Sequence, residues 1–178
     1  MGLGRTLQIP RPFARMSVLE NVMLAPLAQI GETIAGPFIS RRRMQAEESR
    51  IRDKALEVLD FVPLVALADH PAGKISGGQM KLLELARVLM GDPTVILLDE
   101  PAAGVNPVLT QPLIEKLEEL NARGTTFVLI EHDMDFVMRH CDPVIALAEG
   151  AVVFQGTADE ALANPVLLDA YLGATVDG

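Results

Sequence analysis

The sequence holds a single cysteine, Cys141. That excludes an internal disulfide framework and fits a reduced compartment, with the thiol as a small buried side chain. No apolar run approaches the ~20 residues that a bilayer-spanning helix needs. The opening Met1-Gly2-Leu3-Gly4-Arg5-Thr6 lacks the apolar core of a signal peptide. These absences lead us to expect a cytoplasmic protein. Positive charge is scarce as well, the formal net charge being −9. Nucleic acid is therefore not expected as a partner, because phosphate contacts need clustered Lys and Arg. A membrane protein touched through a local patch stays open. Internal repeats and low-complexity stretches are absent too. At 178 residues the chain is long enough for one domain with a real core.

The first half reads mainly as helix. Ser17-Val18-Leu19-Glu20 is a capping-box pattern opening a segment that runs to Ala25. Residues 34–40 hold Gly36 and Pro37 and read as a loop. From Arg41 to Leu59 the apolar positions Met44, Ile51, Ala55, Val58 and Leu59 recur at helical spacing, with Arg41-Arg42-Arg43 as a solvated start. The second half changes character. Thr94-Val95-Ile96-Leu97-Leu98 is a continuous apolar run, as expected of a strand covered on both faces. A helix over Leu109–Ala122, ended by Gly124, and a second such strand at Phe127–Ile130 complete a βαβ unit, so these strands should be parallel. A helix near 134–139 follows, then a hairpin of Val144–Leu147 and Val152–Phe154 about Glu149-Gly150. Short helices at 158–163 and 165–172 close the chain.

Both parallel strands end in polar residues, Asp99-Glu100 and Glu131-His132-Asp133. Ligands of open α/β sheets bind at the carboxyl edge of the strands. Asp99, Glu100 and His132 are therefore expected to converge. The chemistry suggested is phosphoryl transfer with a metal. Asp99 would hold Mg²⁺ on nucleotide phosphates, Glu100 would orient or deprotonate an attacking water, and His132 would sense the terminal phosphate. Acids that merely end strands and start turns carry the same pattern.

Ile75-Ser76-Gly77-Gly78-Gln79 is the other strong element. Ser76 and Gln79 form a second capping box, and Met80, Leu83, Ala86, Val88 and Leu89 continue an apolar helix. Two glycines in the first turn each cost about 1 kcal/mol relative to Ala. Their use would be to let an anion approach backbone N–H groups at a helix N-terminus, with the Ser76 hydroxyl as a further donor.

With these residues in view the sequence resembles the ABC ATPase family over essentially its whole length. Ile75–Gln79 looks like that family's signature motif, with Ile for the usual Leu, and Thr94–Glu100 like its Walker B strand with the catalytic glutamate. Ala103-Gly104-Val105-Asn106 falls where the D-loop belongs, with Asn106 for the more usual Asp. His132 matches the switch histidine, and Gln8 the Q-loop glutamine that reaches Mg²⁺ and couples to the membrane domain. Within the family the chain is most similar to the ATP-binding subunits of branched-chain amino acid importers. That narrower match is carried by Gly104-Val105-Asn106-Pro107, Ile130-Glu131-His132-Asp133-Met134, the segment Met16–Val22 behind Arg5-Thr6-Leu7-Gln8, and the closing Tyr171-Leu172-Gly173.

The resemblance implies an α/β fold, a partial RecA-like P-loop NTPase sheet with an α-helical subdomain. Residues 1–92 would hold the Q-loop region and helical subdomain, and 93–178 the C-terminal part of the ATPase core. It implies ATP and Mg²⁺ as cofactors. The implied partners are a second ATPase subunit in a head-to-tail dimer, transmembrane permease subunits, and indirectly a solute-binding protein. Ser76, Gly77, Gly78, Gln79 and Asn106 would bind nucleotide, and the subunit would sit peripherally on the inner face of the cell membrane.

One family element is missing from the sequence, the G-x-x-x-x-G-K-[ST] loop with its preceding strands. Gly73-Lys74 is followed by Ile75 where Ser or Thr is required, and Gly2-x-Gly4 meets Leu7 at the third glycine position. A truncated gene model would explain this. Alone, the chain is then expected to bind ATP poorly, to leave sheet edges and core surface uncovered, and to be prone to aggregation. An alternative role is a non-catalytic subunit donating only Ser76–Gln79 to a partner ATPase. A soluble ABC ATPase of repair or translation is disfavoured, since no coiled-coil or tandem insertion is present. His70 and His140 read as ordinary histidines, His140-Cys141-Asp142 lacks zinc-site spacing, and the methionines read as gap fillers, with Met16 and Met23 near a membrane-subunit contact.

Overall fold

A computed structural model of the chain describes residues 2–5, 12–26, 41–101, 103, 107–165 and 167. It divides into two compact units, Met1–Ile130 and Glu131–Gly178. The loop expected at 34–40 and most of the closing helix expected at 165–172 lie outside the described residues.

The first unit is built on three parallel strands in the order β1 (Leu3–Arg5), β2 (Val95–Asp99), β3 (Thr126–Ile130). The register pairs Leu3 with Val95, Ile96 with Phe127, Leu98 with Leu129 and Asp99 with Ile130. Four helices accompany the sheet: α1 (Val18–Met23), α2 (Arg41–Phe61), α3 (Gly77–Leu89) and α4 (Pro107–Ala122). α1 packs on both α2 and α3. One continuous core joins Val18 and Val22 of α1, Ala55 and Leu59 of α2, and Leu82, Leu83 and Ala86 of α3 to Ile96 and Leu98 of β2 and Leu113 and Leu117 of α4. This core runs across the 92/93 division expected from the motifs, because the apolar face of α3 serves the helices and the sheet at once.

β1 escapes sequence reading. Three residues show no period, and Gly4 is a poor strand former. The glycine is there for space: a Cβ on Gly4 would lie 2.4 Å from Val88 Cγ1 on α3, so only glycine lets strand and helix approach this closely.

The apolar runs also mislead in one respect. β2 and β3 were expected to be covered on both faces, yet only one face of each strand is turned to the core. Ile96 and Leu98 are buried, and Phe127 and Leu129 pack beside them. The opposite face is open, with Leu3 64%, Val128 48% and Ile130 62% exposed. Leu85 of α3 and Leu113 of α4 line one small cavity with Leu98, so both helices serve the Ile96–Leu98 side. The open face matches the uncovered core surface expected of this sequence.

Both capping boxes form as the sequence predicts. Ser17 Oγ accepts the Glu20 N–H at 3.1 Å, while Glu20 Oε2 accepts the Ser17 N–H at 2.7 Å. The α4 helix ends at Gly124, whose φ of +99° suits glycine. Arg42 and Arg43 are exposed at the start of α2, as a solvated face should be. Lys54 of α2 ties the end of α3 by donating to Met90 O at 3.0 Å and to Asp92 at 2.5 Å.

The second unit contains α5 (Met134–His140), the antiparallel hairpin β4 (Val144–Ala148) and β5 (Ala151–Gly156), and α6 (Ala158–Leu162). Asp133 caps α5 by accepting the Phe136 N–H at 3.0 Å, and the His140 ring packs on Phe136 at 5.1 Å. Cys141 is half-buried rather than fully buried. Burial, and secondarily the charge of Glu131, pushes its thiol pKa up, which keeps the reactive thiolate scarce.

The buried polar side chain of Asn21, fully enclosed in α1, fixes the segment that leads into that helix. Its Oδ1 accepts the Phe13 N–H at 2.8 Å, and its Nδ2 donates to Phe13 O at 3.1 Å and Ser17 O at 2.8 Å. Asn21→Ala would leave the Phe13 N–H without its acceptor, an unsatisfied group costing ~1–3 kcal/mol. It would also remove the side chain that ties Phe13 and Ser17 to α1, although Phe13 O and Ser17 O keep the Met16 and Asn21 N–H bonds. We expect a loss of about 2 kcal/mol or more in chemical denaturation of the chain. A change below ~0.5 kcal/mol, the range of surface substitutions, would contradict this account.

Candidate functional site

Two features of the first unit carry the polar chemistry, and α3 joins them. The first is the tip of α3. Ser76 stands at the N-cap in extended backbone, and its Oγ accepts the Gln79 N–H at 3.3 Å. Gln79 Oε1 returns a bond by accepting the Ser76 N–H at 2.9 Å, and the Met80 N–H closes the first helical bond to Ser76 O at 2.9 Å. This leaves the N–H groups of Gly77 and Gly78 without an acceptor inside the helix. It also leaves the Ser76 hydroxyl proton and the Gln79 amide NH₂ to donate outward. Gly77 is exposed and a Cβ on it would meet nothing within 4 Å. Gly78, by contrast, is buried.

Packing therefore does not demand glycine at position 77, and helix propensity disfavours it. What remains is the open approach to backbone amides and to the positive end of the helix dipole, the arrangement that receives anions.

The second feature is the acidic turn at the end of β2. The Asp99–Ile130 register, followed by the Glu100 N–H donating to Ile130 O at 2.9 Å, places the carboxyl ends of β2 and β3 on one edge. Asp99 and Glu100 are each partly exposed there, and Pro101 behind them is buried. Glu100 has φ +47°, a left-handed conformation that costs a non-glycine residue on the order of 1–3 kcal/mol. The turn is held by bonds to the Glu100 carbonyl, from the Ala103 N–H at 3.2 Å and from Lys81 Nζ of α3 at 2.5 Å. Backbone strain of this kind gathers at working sites.

His132 lies two residues beyond the end of β3, exposed, in the second unit. Gln8 and Asn106 fall outside the described residues. Among the described residues, no three of His, Cys, Asp and Glu cluster as a ready-made metal cage. Two working residues escaped sequence reading. Asn21 was visible only as part of a familiar string, and a polar residue within the apolar Val18–Val22 segment was its one signal. Lys81 gave no signal, because its partner lies 19 residues away along the chain.

The model of the ABC transporter family matches residues 2–103. The chain belongs to the ABC transporter family. Among curated proteins it is similar to the probable branched-chain amino acid transport ATP-binding protein LivG of Archaeoglobus fulgidus, 40% identical over 177 residues, covering 98% of this chain and 66% of that protein. The corresponding Escherichia coli protein is 35% identical over 174 residues, covering 97% and 68%. The chain thus spans about two thirds of the length of the curated relatives it matches. A solved ATP-binding cassette of an ABC transporter superposes with TM-score 0.76 at 35% identity, covering 96% of this chain and 68% of the other. A dimeric cassette bound to ADP and Pi in a post-hydrolysis state gives TM-score 0.69 at 26% identity over 88% of this chain and 62% of that one. The fold is that of the ABC ATPase cassette, as the motifs led us to expect.

If Gly77 serves access rather than packing, Gly77→Ala will fold normally. Its stability should be unchanged or higher by up to ~1 kcal/mol, the difference in helix propensity. Thermal unfolding of the chain checks this, and a loss of more than about 1 kcal/mol would return Gly77 to a structural role.

Proposed function

We propose that this chain is an ATP-hydrolysing motor subunit of an ABC importer for branched-chain or related amino acids. The observation that carries the reading is the Asp99-Glu100 turn at the carboxyl edge of a parallel sheet, in a chain that also presents the exposed Ser76–Gly77 helix tip. The names of the relatives support the amino acid class. Residues 1–92 would act as the Q-loop region and helical subdomain, and 93–178 as the C-terminal part of the ATPase core.

In this reading Asp99 holds Mg²⁺ on the nucleotide through a carboxylate at a strand end, a hard oxygen donor suited to that ion. Bound there, the ion neutralises the charge that develops on the phosphates. Glu100 takes the proton of the attacking water or orients it. His132 contacts the terminal phosphate from the segment after β3, and Gln8 reports the state of the site to the membrane domain. Ser76, Gly77 and Gln79, with Asn106, face the nucleotide of a second ATPase subunit in a head-to-tail pair, and the buried Gly78 serves through its backbone N–H alone. The dimeric neighbour with ADP and Pi supports pairing with a second subunit.

Transmembrane permease subunits, served by a solute-binding protein, would receive the motion. A groove between α1 and α2, lined by Met16, Met23, Met44 and Ile51 beside Glu20 and Glu47, offers them a surface. Deformable methionine surfaces suit a moving contact. No helix among the described residues is long and apolar enough to cross a membrane. In this reading the subunit sits beside the permease subunits, peripherally on the inner face of the cell membrane.

The narrower role, in which the chain contributes only Ser76–Gln79 to an intact partner ATPase, rests on the same exposed tip. ATPase assays of the chain alone and mixed with its partner separate the two, and turnover by the isolated chain discards the narrower role. In a protein that also carries the phosphate loop, Glu100→Gln should keep ATP binding and lower the hydrolysis rate by about 10²-fold or more, the contribution of a positioned general base. Unchanged turnover in that variant refutes the assignment of Glu100.

A further inference from the structure

The bonds that hold the Glu100 turn in its left-handed conformation include three of two kinds. Two are backbone bonds that the turn makes whatever its side chains: Glu100 N–H to Ile130 O, and Ala103 N–H to Glu100 O. The third comes from a side chain on another element, Lys81 Nζ donating to Glu100 O at 2.5 Å. Lys81 stands on α3 about one turn after Gly77. Lys81 lines the small cavity formed with Leu85, Leu98, Pro101 and Leu113.

Ordering a lysine forfeits rotamer freedom, and a purely solvating lysine would stay in water. Here Lys81 is half-buried, and its ammonium makes a charge-assisted bond to a carbonyl in a partly buried place, where screening is reduced. The same helix that presents Ser76 and Gly77 thus grips the backbone of the acidic turn.

We propose that Lys81 is a positioning residue: its ammonium pins the Glu100 carbonyl, tying the aim of the Glu100 carboxylate to the position of the Ser76–Gln79 helix tip. The catalytic consequence rests on the ATPase reading above, whereas the clamp itself does not. α3 is one continuous helix, so a shift or ordering of its tip carries Lys81 with it. Glu100 serves the nucleotide of its own subunit and the tip faces that of the partner. Lys81 therefore links the two sites within one chain.

Two variants and two readouts test this. Lys81→Met keeps the stem and removes the donor, and Lys81→Arg keeps a cation that can still donate. In hydrogen exchange on the full chain, Lys81→Met should speed exchange of the Glu100 and Ala103 amides roughly 5–10-fold, the protection lost with one hydrogen bond. Amides of Leu83–Leu89 should be unaffected, and Lys81→Arg should restore most of the protection. In the ATPase complex, Lys81→Met should lower kcat about 10-fold or more with KM for ATP unchanged, as misplacement of a catalytic group does, again with rescue by Lys81→Arg.

Unchanged exchange of the Glu100 and Ala103 amides overturns the clamp. So does faster exchange throughout α3 without rescue by Arg, which would make Lys81 a general stabiliser. A rise in KM at constant kcat overturns the positioning role. If the wild-type complex hydrolyses no ATP, the motor reading fails, and the exchange experiment still decides the clamp.

Discussion

Parallel pairing of β2 with β3 in a single register is the constraint on which the rest of the first unit depends. It sets Ile96 beside Phe127 and Leu98 beside Leu129, turning one apolar face of both strands to the helices. The same alternation puts Val95, Leu97 and Asp99 on the other face. A slip of one residue would exchange the faces, exposing the core pair and burying the carboxylate without a partner. Burial of the core and presentation of the acid are thus one event. The Glu100 N–H extends the ladder by one more bond to Ile130 O before the chain turns away.

The α3 helix carries two duties along its length. Its body supplies Leu82, Leu83 and Ala86 to the core, which makes its direction rigid. Its tip is left open, with Ser76 and Gln79 satisfying one another and the glycine amides free of intrahelical acceptors. Lys81 lies between, on the side that meets the acidic turn. A helix anchored by packing at one end and open at the other can present backbone donors accurately without flexible side chains to order. Preorganised donors of this kind are favoured where charge must be stabilised.

The open sheet face bearing Leu3, Val128 and Ile130 is the other consequence of this architecture. Burying an aliphatic side chain contributes ~1.5–3 kcal/mol, and these residues forgo most of that gain here. Contiguous apolar surface of this sort marks contact regions in soluble proteins. It stands beside the finding that the chain spans about two thirds of the length of its relatives. The match of the family model to residues 2–103 takes in α3 and the acidic turn.

By itself the sequence determined the parts with a strong local period or a strong local cap. The β2–α4–β3 unit, the α2 stripe, the hairpin about Glu149-Gly150 and both capping boxes were legible, because their causes lie within a few residues. The placement of Asp99-Glu100 at a strand end and of Ser76–Gln79 at a helix tip was legible for the same reason, each being a short string with a distinctive cost. Tertiary structure alone decided which face of the apolar strands is buried, that Leu3–Arg5 is a strand, that Gly77 is open while Gly78 is enclosed, and that Asn21 and Lys81 pin backbones elsewhere. Those outcomes depend on which elements approach one another and how closely. An apolar run records that a strand can be buried, but only the packing of α3 and α4 determines on which side.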